Sequence, residues 1–241
     1  MKRIFLIFSI ALLVLQFPNR DAQANSDQER ILEIAGRIED TCGKLQSYAC
    51  DVEGIYFSSG REYQRYIFKF YFLKPDRFRI EFSQPYCGMT IFYTDGEKEF
   101  TSQPFSSMPS VLYRFSVDNS FFKSPAGQKL SQLHMNYFLA FLKHNARELP
   151  QDNSEFREDE DTISFWLRAN DYLTGKVLER YRISVNKKIW LPARFERYDL
   201  DGHPLEYTLF RNYRIDPLLG RTFFEPGYNV DGAAPEIEPI R

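Results

Sequence analysis

From Glu62 to Leu73 the chain alternates. Tyr66, Phe68, Phe70 and Phe72 fall on one side, and Arg65, Ile67, Lys69, Tyr71 and Leu73 on the other. A period of two predicts a strand with one apolar face. Upstream the period is different. Ile31, Ile34, Ala35, Ile38, Cys42 and Leu45 recur at helical spacing, and Ser26-x-x-Glu29 has the form of a capping box. This predicts an amphipathic helix from about Asp27 to about Gln46, its apolar stripe laid on a sheet. Val52–Ser58 is a short strand ahead of Ser59-Gly60, and Pro75 ends the Glu62–Leu73 strand. Asp76–Phe82 follows, with Phe78, Ile80 and Phe82 opposite Arg77, Arg79 and Glu81. Met89–Thr94 and Glu97–Thr101 flank Asp95-Gly96, a short-hairpin signal.

A loop rich in Ser, Pro and Phe fills Gln103–Pro125, with a loose strand signal at Val111–Val117. Gly127–Ala146 reads as a second helix whose wide apolar face holds Leu130, Leu133, Tyr137, Phe138, Phe141 and Leu142. The polar stretch Gln151–Asp161 reads as a solvated loop. Strands return at Thr162–Leu167, Val177–Val185, Ile189–Tyr198 and Leu205–Tyr213, the last two joined across Asp199–Gly202. The tail from Gly227 reads as extended. Helix, strands, helix, strands is the order of an α+β fold with meandering antiparallel strands and the helices gathered on one side. Whole strand faces of aromatic residues favour a strongly curved sheet, a half-open barrel around an apolar interior.

Composition adds to this mainly through its aromatics. The 241 residues include 23 Phe and 15 Tyr, a large apolar surface to bury or to offer. The net charge of −2 gives no nucleic-acid footprint. The first residues carry a different message. Lys2 and Arg3, an apolar run from Ile4 to Leu15, and Ala22-Gln23-Ala24 have the pattern of a signal peptide cut after Ala24. The expectation is an exported, periplasmic protein with one domain over residues 25–241. Cys42, Cys50 and Cys87 allow three pairings, Cys42–Cys50 being the local one, with one thiol left over.

Catalytic signals are sparse. His134, His144 and His203 are the only histidines, and none stands at ligand spacing from another. The sequence has no Gly-x-Ser-x-Gly elbow, no glycine-rich phosphate loop, and no Cys/His cluster for zinc. Glu158–Asp161 lacks the spaced ligands of a calcium loop. The reading is of a protein that is not an enzyme and has no cofactor or metal. The basic pairs Arg77/Arg79, Arg180/Arg182 and Arg194/Arg197 admit an anionic surface such as lipid headgroups. Interleaving with Glu81, Glu179 and Glu196 favours the wet outer face of a sheet.

Four stretches carry a more specific signal. LKPDRFRIEFSQP followed by MTIFYTDGEKEF resembles the LolA family of periplasmic lipoprotein carriers. That family places a basic residue before a proline, then an aromatic strand, a Gln-Pro-type break and a Ser/Thr-Asp-Gly hairpin. LPARFERYDLDGHPLEYTLFRNYRID is similar to its late hairpin and the strand after it. RTFFEPGYNVDG is similar to its closing strand, with Phe223, Phe224, Pro226 and Gly227 in place. The resemblance implies an unclosed half-barrel with helices packed on the concave side as a lid. It implies an apolar cavity for acyl chains of lipoproteins or other lipids, and sorting towards the outer membrane with inner- and outer-membrane transport partners.

On this chain the implied wall is Tyr66, Phe68, Phe70, Phe72, Phe78, Ile80, Phe82, Ile91 and Tyr93. The implied lid elements are Lys74, Leu133, Tyr137 and Phe141. Lys74 stands where the family keeps a latching arginine. It departs from the pattern by offering a point charge instead of a planar fork. The expected state is a monomer. A sensor or regulatory module on the same fold, acting by protein contact, is the alternative, and an envelope hydrolase using cleft carboxylates is a third reading.

Overall fold

The computed structural model describes residues 20–94, 96–125, 127–151, 154–170 and 177–227. The predicted signal peptide before Arg20, Asp95 of the predicted hairpin and the tail beyond Gly227 lie outside them. The chain begins with helix α1 (Arg20–Lys44) and continues into strands β1 (Ser47–Ser58), β2 (Arg61–Leu73), β3 (Arg77–Gln84), β4 (Thr90–Thr94), β5 (Glu99–Gln103) and β6 (Tyr113–Ser116). Helix α2 (Met135–Glu148) follows. The chain then returns to β7 (Arg157–Glu158), β8 (Thr162–Asn170), β9 (Leu178–Asn186), β10 (Leu191–Tyr198) and β11 (Pro204–Ile215).

The described strands make one antiparallel sheet of 11, in the order β6-β5-β4-β3-β2-β1-β11-β10-β9-β8-β7. The fold is α+β with an unclosed barrel, as the pattern of periods and the resemblance both anticipated. Nearly every strand pairs with its neighbour in sequence. The exception is β1 against β11, where the two halves of the chain meet in the middle of the sheet. Register there shifts between Ala49 and Asp51, and Asn212 opposite the shift has φ 52° and donates to Asp51 at 2.7 Å. Asparagine tolerates that left-handed backbone and its amide bonds locally, so the bulge has its own support.

Two apolar cores occupy the inner face. One lies under β1–β5 and holds Phe68, Phe70, Phe78, Ile80, Phe82, Ile91 and Tyr93. The other lies under β8–β10 and holds Phe165, Leu167, Tyr181 and Ile183 against Ile31, Ile34 and Ile38 of α1 and Leu139, Phe141 and Leu142 of α2. The helical stripe of α1 is thus buried on the sheet, as its spacing predicted.

Several expectations are corrected. Helix α1 begins at Arg20, so the Ser26-x-x-Glu29 pair lies within the helix instead of capping it. Arg20 to Ala24 contains neither Pro nor Gly, and propagating an existing helix costs little. The second helix is shorter than Gly127–Ala146. Leu130–Gln132 is a 3-10 turn, and His134 takes the N-cap place of α2 with extended φ −80° and ψ 157°. Local bonds compete with a continuous helix there: Gln132 Oε1 accepts from the Lys129 N–H at 2.9 Å, and Lys123 and Lys129 form a bridge.

Gln151–Asp161 is not wholly a solvated loop. Its Arg157–Glu158 pair adds the edge strand β7, and Gln151 is buried. The Gln151 amide donates to the carbonyls of Asn145, Leu149 and Arg168, and its oxygen accepts from the Arg168 N–H. One side chain thereby ties the end of α2 to β8.

RTFFEPG is not a closing strand. Arg221–Phe224 is a 3-10 turn on the outer face, with Phe223 and Phe224 over Ala49 and Tyr71. It covers Arg79, which was expected to be wet and is 5% exposed. The Arg79 guanidinium donates to the Phe223 carbonyl at 2.8 Å, pairs with Glu81 at 2.7 Å and stacks on the Phe223 ring at 4.3 Å. Glu179 and Arg197 also leave the predicted wet face. Register places Arg197 beside Tyr181 and Glu206, on the inner side.

Candidate functional site

The inner face of the central strands encloses a cavity of about 140 Å³. Its back wall is β1, which contributes Tyr48, Cys50, Val52, Gly54 and Tyr56, every second residue of the strand. Tyr66, Phe68 and Phe70 of β2 and Phe82 of β3 extend the wall to one side, and Glu206, Thr208, Phe210 and Tyr213 of β11 to the other. The front is closed by Phe122–Ser124, Gln128–Leu130, Leu133, Met135 and Phe138. These residues belong to the segment leading into α2 and to its first turn.

Gly54 is where the wall is thin. It lies between Tyr66 on β2 and Thr208 on β11. A Cβ built there would meet only the Tyr56 side chain, at 3.5 Å. Glycine inside a strand offers no side chain to pack, and here the missing side chain is cavity space.

Of the residues proposed from sequence, Tyr66, Phe68, Phe70, Phe82 and Leu133 line this cavity. Phe72, Phe78, Ile80, Ile91 and Tyr93 belong to the same apolar core but pack beyond the cavity wall. Tyr137 meets the His134 ring edge to face at 4.8 Å. Phe141 turns into the other core, against Tyr181 at 4.9 Å and Phe195 at 5.9 Å. The helix presents Met135 and Phe138 to the cavity, Phe138 being part of the wide apolar face that the sequence predicts. Lys74 reaches elsewhere. Its ammonium donates to the Gly43 carbonyl at 2.7 Å, and its N–H to the Gln46 carbonyl at 2.8 Å. It therefore ties the β2–β3 corner to the C-terminal turn of α1, where a cation is favoured by the exposed carbonyls.

Sequence reasoning passed over β1 and β11 as cavity walls, although alternation in Tyr48–Tyr56 was available as a signal. It also passed over the polar end. Glu206, 2% exposed, accepts from Thr208 Oγ1 at 3.2 Å and lies 3.7 Å from the Arg197 guanidinium. Arg197 Nε lies 3.4 Å from Glu179, which accepts from Tyr181 at 2.8 Å. No linear motif could reveal this cluster, since its members come from three strands. Burial, and next the charge of Glu206, push the Tyr56 hydroxyl well above the ordinary phenol range. The cavity thus has an apolar body and one acidic, hydrogen-bonding end.

The cysteines are unpaired. Cys50 lines the cavity, Cys42 packs beside the same core and Cys87 is exposed. Among the described residues, Asp199, Asp201 and His203 form a group at metal-ligand distances. It is an exposed hairpin turn whose Asp199 already accepts from the His203 N–H at 2.8 Å and contacts its ring at 3.0 Å. No described helix is long and apolar enough to cross a membrane.

No family model and no curated protein matches the chain. Solved structures do. An uncharacterized conserved protein from Thermus thermophilus is 16% identical, with a TM-score of 0.46, over 83% of this chain and 94% of that one. Lipoprotein LppX of Mycobacterium tuberculosis is 8% identical, with a TM-score of 0.43, over 80% of this chain and 98% of that one. A LolA superfamily protein from Nitrosomonas europaea is 12% identical, with a TM-score of 0.38, over 80% of this chain and 96% of that one.

Proposed function

We propose that this protein is a non-enzymatic periplasmic carrier that takes acyl chains of lipoproteins or other lipids into the cavity behind β1. The observation that carries this reading is the cavity itself: an apolar wall of alternate strand residues, thinned at Gly54 and fronted by a segment that packs there through a few side chains. Each buried methylene of a ligand gains about 0.8 kcal/mol. A cavity of about 140 Å³ is close to the ~150 Å³ that holds one benzene. An acyl chain needs more room than that, and cargo enters as Leu133, Met135 and Phe138 swing away. The second core holds Leu139, Phe141 and Leu142, so the later turns of α2 stay anchored while the first turn moves.

In this reading residues 1–24 are removed on export and residues 25–241 act as a monomer, passing cargo between partners at the inner and outer membranes. Purification under native conditions followed by lipid extraction and mass spectrometry tests it, together with uptake of a fluorescent acyl probe. Co-purified lipid and saturable uptake are expected. Absence of both would sink the proposal. The small volume of the cavity also suits a sensor or regulatory module that works by protein contact. A stable complex with an envelope signalling protein, unaffected by added lipid, would establish that alternative.

A further inference from the structure

One loop exposes several large apolar side chains together. Phe105, Met108 and Tyr113 are each more than half exposed, and Leu112 is 41% exposed. They lie on the connection from β5 to β6, Tyr113 being the first residue of β6. Exposed apolar side chains gathered in one place mark sites of interaction with another surface. Two successive turns shape the loop. The Phe105 carbonyl accepts from the Met108 N–H at 3.2 Å, and the Met108 carbonyl accepts from the Val111 N–H at 3.0 Å. These backbone groups are satisfied within the loop, so its apolar side chains can leave water without stranding them.

Register puts this loop next to the aromatic rim of the cavity. Thr90 of β4 pairs with Gln103 of β5, and Ser102 with Tyr113 of β6, so the loop leaves the sheet beside the turn between β3 and β4. A Cβ on Gly88 of that turn would meet the Ser106 hydroxyl at 3.5 Å. Tyr86 of the same turn lines the cavity with Tyr66 and Phe82. Cavity and loop thus stand on either side of one turn. Charge is missing from both segments that meet here. From Phe82 to Thr94 and from Phe100 to Tyr113 the sequence has no charged residue, although 27% of the chain is charged. The first charge after the loop is the exposed Arg114.

We infer that the loop between β5 and β6 is a membrane-docking element, and that the surface it meets is the headgroup layer of a phospholipid bilayer. Such a site combines apolar side chains at its tip, a tyrosine at the polar boundary and a cation reaching back to the headgroups. Phe105, Met108 and Leu112, then Tyr113, then Arg114 supply these parts in order. A protein partner suits the place less. The rim of a protein interface is polar, whereas both segments here are uncharged throughout. The docking stands on the loop itself. Its purpose rests on the carrier reading: an acyl chain leaving the bilayer beside the Tyr86 turn would enter the cavity past Tyr66 and Tyr86.

The test uses the exported form, residues 25–241, because the apolar run Ile4–Leu15 would hold a membrane by itself. Flotation is measured with vesicles of phosphatidylethanolamine and phosphatidylglycerol, and with vesicles of phosphatidylcholine. A polarity-sensitive fluorophore on the exposed Cys87, in the same turn as Tyr86, reports contact. Flotation and blue-shifted emission on adding vesicles are expected. Phe105→Ser and Met108→Ser in one chain should weaken vesicle binding about tenfold or more. Arg114→Gln should weaken binding to the phosphatidylglycerol vesicles about fivefold and leave binding to phosphatidylcholine unchanged. Circular dichroism checks the fold. The serine variant should still take up a soluble acyl probe, because neither residue lines the cavity. Flotation without any probe uptake by the unsubstituted chain would count against the carrier reading and leave the docking standing. No flotation of the unsubstituted chain, or flotation that the serine variant retains within about twofold, overturns the docking. A dimer that the serine variant dissolves in sedimentation, with no flotation, overturns it too and assigns the loop to a second copy of the chain.

Discussion

At the residue scale Gly54 and Lys74 have opposite characters. Gly54 lies in a central strand with space in front of it. Gly54→Val suits strand backbone and fills part of the cavity, so it is expected to raise stability by about 0.5–1 kcal/mol and to reduce acyl-probe uptake. Chemical denaturation and probe fluorescence measure the two effects. Stabilisation with undiminished uptake would place the ligand elsewhere. Lys74 bonds the last turn of α1, not the segment over the cavity. Lys74→Glu puts an anion beside helix C-terminal carbonyls and should cost about 1 kcal/mol. Lys74→Arg should restore most of it. If Lys74→Glu folds and leaves uptake and release rates unchanged, Lys74 anchors α1 and has no part in gating.

The thiols supply a pH-dependent test at the same scale. Burial is the main cause that pushes the Cys42 thiol from 9.0 to about 11, and Lys74 partly offsets it. Its thiolate fraction at pH 8 falls about a hundredfold, so the exposed Cys87 should react first with a maleimide, and Cys42 and the buried Cys50 far later. The folded state holds the Cys42 proton more tightly than the unfolded chain. This contribution to stability is complete below pH 9 and is lost as pH rises from about 9 to about 11. The buried phenols of Tyr48, Tyr56 and Tyr213, all raised by burial, add to that loss above pH 10. Thermal unfolding across pH 8–11 should show a monotonic fall in midpoint.

At the element scale, the 3-10 turn Arg221–Phe224 works as an outer strap. Phe223 packs edge to face on Tyr71 at 4.9 Å and provides both ring and carbonyl to Arg79. Phe223→Ala should cost about 3 kcal/mol, measured by denaturant titration, because it removes a buried ring and exposes a guanidinium placed for it. A loss below about 1 kcal/mol would mean the strap is dispensable. The amphipathic period of α1 and the alternation of β2 and β3 were enough to place those elements and their inward residues. Of the lid residues the resemblance implied, Tyr137 meets His134 and Phe141 packs in the second core. Hydrophobic periodicity gives a face without saying which of two cores it meets, and the helix starts only at Met135, after the extended His134.

For the whole molecule, the pairing of β1 with β11 joins the two halves of the chain and closes the back of the cavity. A ligand that binds only this folded form raises stability by mass action, by about 2.7 kcal/mol at a hundred times its dissociation constant. Saturating acyl ligand should therefore raise the unfolding midpoint, and less so in Gly54→Val. Alternation and helical spacing along the chain were sufficient for the α+β class, the antiparallel meander and the apolar wall, because these follow from the backbone period of each segment. Tertiary structure alone decided three things: that Glu179 and Arg197 gather behind the cavity residue Glu206, that Phe223 covers Arg79 on the outside, and that Arg168 faces Arg180. Each depends on strand register and on which face of a curved sheet is covered, and these arise from pairings between residues far apart in sequence.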